Sequence, residues 1–252
     1  MVTEDSPTDP VLIVRREAHR TWIGFNRPEV RNALNEEVVG SIHAVLDEAT
    51  EPGILIFHST TPGMFVAGAD IAELIERGAD DALRAINAGL FERIEAHRWP
   101  TIAAVDGWAL GGGCELAMAC DMRVAGTRAR FGQPELSLGI LAGAGGNWRL
   151  VQLVGLGLAR RMLYTGEIID ADTALTAGLV DRVCPSEELE AAAAALADTI
   201  AERSWRALEL TKLALGRHRP ATTGFDVAAQ ALLFESEDKK RRMNDFLNRR
   251  RR

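Results

Sequence analysis

TIAAVDGWALGGGCELAMACD (101–121) runs from a buried strand into a glycine-led helix. TIAAVDG (101–107) is short and almost wholly apolar, as a strand covered on both faces must be. Glycines 111–113 then open an apolar helix that carries Glu115 in its first turn. Working outward, VLIVRR (11–16) and TWIGFN (21–26) read as strands joined by a turn, and ILIFHS (54–59) and DMRVAG (121–126) as buried strands. Asn35 caps a predicted helix reaching about Thr50, with Val38, Val39, Ile42, Val45, Leu46 and Ala49 at helical spacing. Helical pattern returns across 71–97, interrupted near Gly78. Strands alternating with helices predict an α/β fold with crossover helices. From Glu187 the character changes: 187–217 and 224–249 read as successive helices, with the main boundary expected near 195–205.

The 252 residues suit one large domain or one domain with an appendage. With 47% apolar and 26% charged residues, the chain is neither disordered, collagen-like nor a disulfide scaffold. A formal net charge of −7 makes it a poor general binder of nucleic acid or anionic membrane. That charge is uneven. Residues 239–252 hold eight basic residues and one acidic, or +7, which leaves −14 on the other 238. Three cysteines without a C-x-x-C pair fit a reducing compartment. No apolar run approaches the roughly 20 residues that span a bilayer. MVTEDSPTDP at the start is unlike a signal or transit peptide, so a cytoplasmic location is expected.

Ten of the 23 glycines fall within 107–146, a density that costs backbone entropy and marks the segment to search for chemistry. The chain has no G-x-x-x-x-G-K-[ST] and no G-x-S-x-G, and GAGGNW (143–148) fails G-x-G-x-x-G at Trp148. Its five histidines show no metal-ligand spacing. Three segments remain. In GGGCELAMACD (111–121) the free N–H groups of a first helical turn can stabilise a negative oxygen, with Glu115 beside them. In FGQPELSLG (131–139) Pro134 fixes the backbone ahead of a second carboxylate, Glu135, which could pair with Glu115 as acid and base. In GMFVAGADIAEL (63–74) Ala67, Gly68 and Ala69 permit close backbone approach before a helix starting near Asp70. Taken singly, each is equally an ordinary glycine turn, a helix-start Glu after Pro, or an Asp-capped turn. Cys114 adjoins Glu115 but reads as a buried thiol.

Together the segments resemble the crotonase (enoyl-CoA hydratase) superfamily. The matches are FVAGADI (65–71), TIAAVDGWALGGGCELAMACD (101–121), FGQPELSLGI (131–140), GAGG (143–146), TGEIIDADTALTAGLVDRV (165–183) and LLFESEDKKRRMNDFLNRR (232–250), in family order. The resemblance implies a spiral of ββα units with a C-terminal α-helical trimerisation region. In its terms residues 1–10 form a disordered lead, 11–200 the spiral core and 201–252 the trimerisation helices. It implies an acyl-CoA thioester as substrate, coenzyme A being part of that substrate, with no metal or other cofactor. Glu115 and Glu135 map onto the two hydratase glutamates, and the N–H groups of Ala69 and Gly112 onto the oxyanion hole. Further substrate contacts are implied at Arg31, Ala33, Ala67, Asp70 and Ile71. Leu110, Pro134 and Gly143 complete that set.

The implied reaction is hydration of a 2-enoyl-CoA to a 3-hydroxyacyl-CoA in fatty-acid or related acyl-CoA catabolism. The implied assembly is a homotrimer or a dimer of trimers, with no nucleic-acid or membrane partner. Another acyl-CoA reaction of the family, isomerase or hydrolase, is the first rival, and an RNA-binding relative a more distant one. The basic tail would support that relative, but it lacks interleaved aromatic residues beyond Phe246. Family hydratases read P-G-x-G-G-T-Q-R-L where this chain has AGAGGNWRL (142–150). Trp148 there is expected either to pack inward or to close the acyl tunnel. Leu232, Leu233, Phe234, Met243, Phe246 and Leu247 are expected on a buried face of the last helices.

Overall fold

A computed structural model describes residues 10–216 and 223–250; residues 1–9 of the expected lead and Arg251 and Arg252 of the basic tail lie outside them. The β1 (Leu12–Glu17)–β2 (Arg20–Phe25) hairpin is followed by α1 (Glu36–Glu48). The Asn35 side chain caps α1 by accepting from the Val38 N–H at 3.0 Å, and Val38, Val39, Ile42, Val45 and Leu46 are buried along one face. Three strand–strand–helix passages come next. They are β3 (Ile54–Ser59) and β4 (Met64–Val66), β5 (Thr101–Val105) and β6 (Trp108–Leu110), and β7 (Met122–Gly126) and β8 (Arg130–Gly132).

The first strand of each pair joins one sheet and the second joins another. With β9 (Ile168–Asp170) and β10 (Arg182–Cys184), the orders are β1-β2-β3-β5-β7-β10 and β4-β6-β8-β9. Within the sheets, β2-β3-β5-β7-β10 and β4-β6-β8 run parallel, while β1 and β9 are antiparallel to their neighbours. The result is the expected spiral of ββα turns.

The helical stretch across 71–97 is broken twice rather than once. It forms α2 (Ile71–Leu74), α3 (Ala79–Leu83) and α4 (Ile86–Glu95). The first break is the one expected at Gly78. The second falls at Ala85, whose φ of 50° is left-handed although no glycine or proline announces it. The helix after Gly111 is α5 (Gly112–Ala119), buried along its whole length. It packs so closely on β4 that a Cβ at Gly113 would stand 2.0 Å from the Val66 carbonyl oxygen, which only glycine avoids.

The long helix α6 (Gly146–Thr165) is kinked at Gly155, and α7 (Ala171–Thr176) follows β9. α8 (Leu189–Ala201) lays Ala192, Ala193 and Ala197 on Trp22, Ile54, Ile56 and Ile102 of the larger sheet. α9 (Trp205–Gly216), α10 (Thr223–Phe234) and α11 (Glu237–Arg250) end the chain. The buried face expected of the last two is narrower than the sequence implied. Phe234 and Met243 are buried against Leu74, Ala82 and Ile140, but Leu232 is 78% exposed and Phe246 also faces outward. No helix among the described residues is long and apolar enough to cross a membrane.

Candidate active site

Register in the smaller sheet assembles the site. Val66 of β4 pairs with Ala109 of β6, and Leu110 of β6 pairs with Gly132 of β8. Each strand then leaves the sheet at the same edge. Two or three residues on, the chain reaches Ala69 from β4, Gly112 from β6 and Glu135 from β8, so three turns distant in sequence lie side by side.

Leu34 fixes the direction of the first N–H. Its own N–H donates to the Gly68 carbonyl at 2.9 Å, and its carbonyl accepts from Asp70 N–H at 2.9 Å. Ladder bonds that straddle Ala69 turn the Ala69 N–H the other way. Gly112 opens α5, so its N–H has no acceptor within the helix. A Cβ on Gly112 would lie 3.5 Å from the Ala69 nitrogen, so the two turns are in contact. Two such N–H groups can hold a developing oxyanion.

Both carboxyls are buried, Glu115 at 4% exposure and Glu135 at 8%. Glu115 Oε1 accepts from the N–H groups of Ala144 (2.8 Å) and Gly146 (2.9 Å). Burial pushes Glu115 up to about 7, against the pull of those two donors and of the Arg149 charge. Glu135 begins a single 3₁₀ turn, Glu135–Leu138, entered from Pro134. The Gln133 amide, its nitrogen turned toward Glu135, donates to both carboxyl oxygens at 2.7 and 3.0 Å. Burial first, and then the charge of Glu115, hold Glu135 well above the usual carboxylate range. Two such groups release their protons in separate steps, so one can be a base while the other is still an acid. Cys114, fully buried, has its thiol pushed up by burial and is no nucleophile.

A cavity of about 120 Å³ joins these groups. Of the residues predicted from sequence, Ala67, Ala69, Ile71, Gly112, Glu115, Pro134, Glu135 and Gly143 line it. Arg31, Ala33, Asp70 and Leu110 lie outside its lining. Arg31 is exposed and gives its carbonyl to the Ala67 N–H, Ala33 is buried, and Asp70 caps α2 through the Ala72 N–H. The Leu110 carbonyl oxygen faces Gly68. Apolar walls come from Leu74, Ala82 and Ile86 on one side and from Val227 and Phe234 of α10 on another. Sequence reasoning missed Gln133, Ala144 and Gly146 as partners of the carboxyls; GAGG (143–146) was the only signal, and it pointed to a backbone role without naming the acceptor. Trp148 is half-buried, packed on the Arg149 guanidinium, and does not line this cavity.

A sequence model described as enoyl-CoA hydratase/isomerase matches residues 16–252. The chain is 40% identical to a crotonyl-CoA hydratase of Syntrophomonas wolfei over 95% of each chain. It is 38% identical to a short-chain-enoyl-CoA hydratase of Clostridium acetobutylicum, again over 95% of each. A solved enoyl-CoA hydratase from Bacillus anthracis superposes with a TM-score of 0.79 at 31% identity, covering 95% of this chain and 96% of that one.

Proposed function

The chain belongs to the enoyl-CoA hydratase/isomerase family, and on that premise we propose how its cavity adds water across the C2=C3 bond of a 2-enoyl-CoA thioester. The protein is an enoyl-CoA hydratase, a hydro-lyase that yields a 3-hydroxyacyl-CoA. In the proposed mechanism the thioester carbonyl accepts from the Ala69 and Gly112 N–H groups. Polarising that carbonyl makes C3 electrophilic, and the same donors stabilise the enolate-like charge that forms when water attacks.

Glu115, held by the Ala144 and Gly146 N–H groups, takes the proton of the attacking water. Glu135, held above the usual carboxylate range by burial, delivers a proton to C2. The oxygen–C3 bond forms, the C2=C3 electron pair moves toward the thioester oxygen, and C2 gains the proton as the carbonyl is restored. No cofactor enters these steps, since coenzyme A arrives as part of the substrate. Arg31, exposed at the edge of the Ala67 turn, would meet the coenzyme A portion outside the cavity.

One observation carries this reading: two buried carboxyls, Glu115 and Glu135, share a cavity lined by the Ala69 and Gly112 turns. The experiment is loss of the conjugated-thioester absorbance with crotonyl-CoA and with a longer 2-enoyl-CoA. Saturable loss that needs the enzyme supports the reading; an unchanged band with both substrates contradicts it.

We further propose that the chain works as a homotrimer or a dimer of trimers. Leu210, Leu213 and Leu215 of α9 and Phe225 and Leu232 of α10 are each 49–78% exposed, more apolar surface than a free helix pair usually shows. Light scattering coupled to size exclusion should give three or six copies, and a monomer at micromolar concentration would count against this.

A further inference from the structure

We propose that α10 is a positioning clamp: Gln230 and Asp226 hold the two ends of the 141–147 loop, and that loop holds the base, Glu115. This inference rests on the hydratase reading and adds to it the residues that aim the base.

The loop cannot hold itself. Between Leu141 and Asn147 the chain is only glycine and alanine, a backbone that is costly to order and has no side chains to pin it. Yet its place decides the geometry of the base. Its Ala144 and Gly146 N–H groups donate to Glu115 Oε1 at 2.8 and 2.9 Å. With two donors on Oε1, Oε2 is the oxygen left to meet the attacking water, and its direction follows the loop.

Three side chains pin the loop, and two of them come from α10. Gln230 Oε1 accepts from the Leu141 N–H at 3.2 Å, and Asp226 Oδ1 accepts from Asn147 Nδ2 at 3.3 Å. The Gln230 amide also lies against Gly143, where a Cβ would stand 3.2 Å from its Cδ. The third pin is Arg149, which donates to the Ala144 carbonyl at 2.9 Å and to Glu95 of α4 at 2.7 Å. Asp226 and Gln230 stand four residues apart, on one face of α10, and Val227 between them lines the cavity. A face that only packed would be apolar throughout. Asp226 is instead 9% exposed, and a buried carboxyl is costly unless it is bonded.

Asp226 also acts through its charge. The charged groups around Glu115 are Arg149 of α6, Asp226 of α10 and Glu135 of the 3₁₀ turn, while Cys114 beside it on α5 is an uncharged thiol. The two N–H donors and Arg149 favour ionised Glu115, and the Asp226 charge opposes it. Losing the clamp and losing the charge therefore move Glu115 in opposite directions.

The test compares wild type with full-length Gln230→Leu, Asp226→Asn and Asp226→Ala. Infrared spectroscopy follows across neutral pH the protonated-carboxyl band that Glu115→Gln removes, and hydration of crotonyl-CoA is measured beside it. Gln230→Leu removes the acceptor for Leu141, so the Glu115 midpoint should rise by about one pH unit and kcat should fall about tenfold. Asp226→Asn removes the charge and keeps an acceptor for Asn147, so the midpoint should fall. Asp226→Ala removes that acceptor too, and its kcat should lie about tenfold below that of Asp226→Asn. A folded Gln230→Leu protein with the wild-type midpoint overturns the clamp, as does equal kcat in Asp226→Ala and Asp226→Asn. If the midpoints move as stated but wild type hydrates no enoyl-CoA, the hydratase reading fails and the clamp stands.

Discussion

Glu115→Gln and Glu135→Gln should each lower kcat/KM for crotonyl-CoA hydration by about 10²-fold or more, because each removes one proton transfer and little else. The double variant should lose far less than the product of the two, since the pair acts as a unit. In wild type the acid limb of the pH profile should lie near 7, where Glu115 ionises, and activity should hold at higher pH while Glu135 keeps its proton. Stability should move the other way. Both carboxyls titrate higher in the folded chain than in the unfolded one. The folded state therefore binds more protons above the ordinary carboxylate range, and its stability falls as pH rises through the folded values. Glu135→Gln removes that penalty, so its Tm should exceed the wild-type value at pH 8 and match it near pH 4. Either variant with near wild-type hydration would eliminate the proposed acid–base pair.

Gly112→Pro should abolish turnover, a loss of about 10²–10³-fold or more, while the circular dichroism spectrum stays that of the wild type. Proline is accepted at the first position of a helix, where the N–H has no intrahelical acceptor. What disappears at Gly112 is the donor beside Ala69, which no side chain replaces. The ring also fills space 3.5 Å from the Ala69 nitrogen. A well-folded and fully active Gly112→Pro protein would refute the oxyanion assignment.

The larger sheet was legible because its central strands are buried on both faces and read as apolar runs, as ILIFHS and TIAAV do. The smaller sheet was not. β4, β6, β8 and β9 are three residues each, too short to show any period, and exist because neighbouring strands supply their partners. Yet that sheet builds the site. Glu115 and Glu135 stand twenty residues apart, and no spacing rule brings them together; the pairing of Leu110 with Gly132 does. Resemblance supplied what periodicity lacked. Ala85 was illegible for another reason: it takes a left-handed φ of 50° with no glycine or proline to announce it. Trp148 was read as core or as pocket wall; it is half-buried, stacked on Arg149, and does not line the site cavity.

The most direct measurement of the central claim is mass spectrometry of the product formed from crotonyl-CoA in oxygen-18 water. Hydration by a Glu115-activated water predicts 3-hydroxybutyryl-CoA with one heavy oxygen at C3 and an intact thioester, and predicts that Glu115→Gln forms almost none. Heavy oxygen in a released carboxylic acid, or an isomerised enoyl-CoA that carries none, would contradict it.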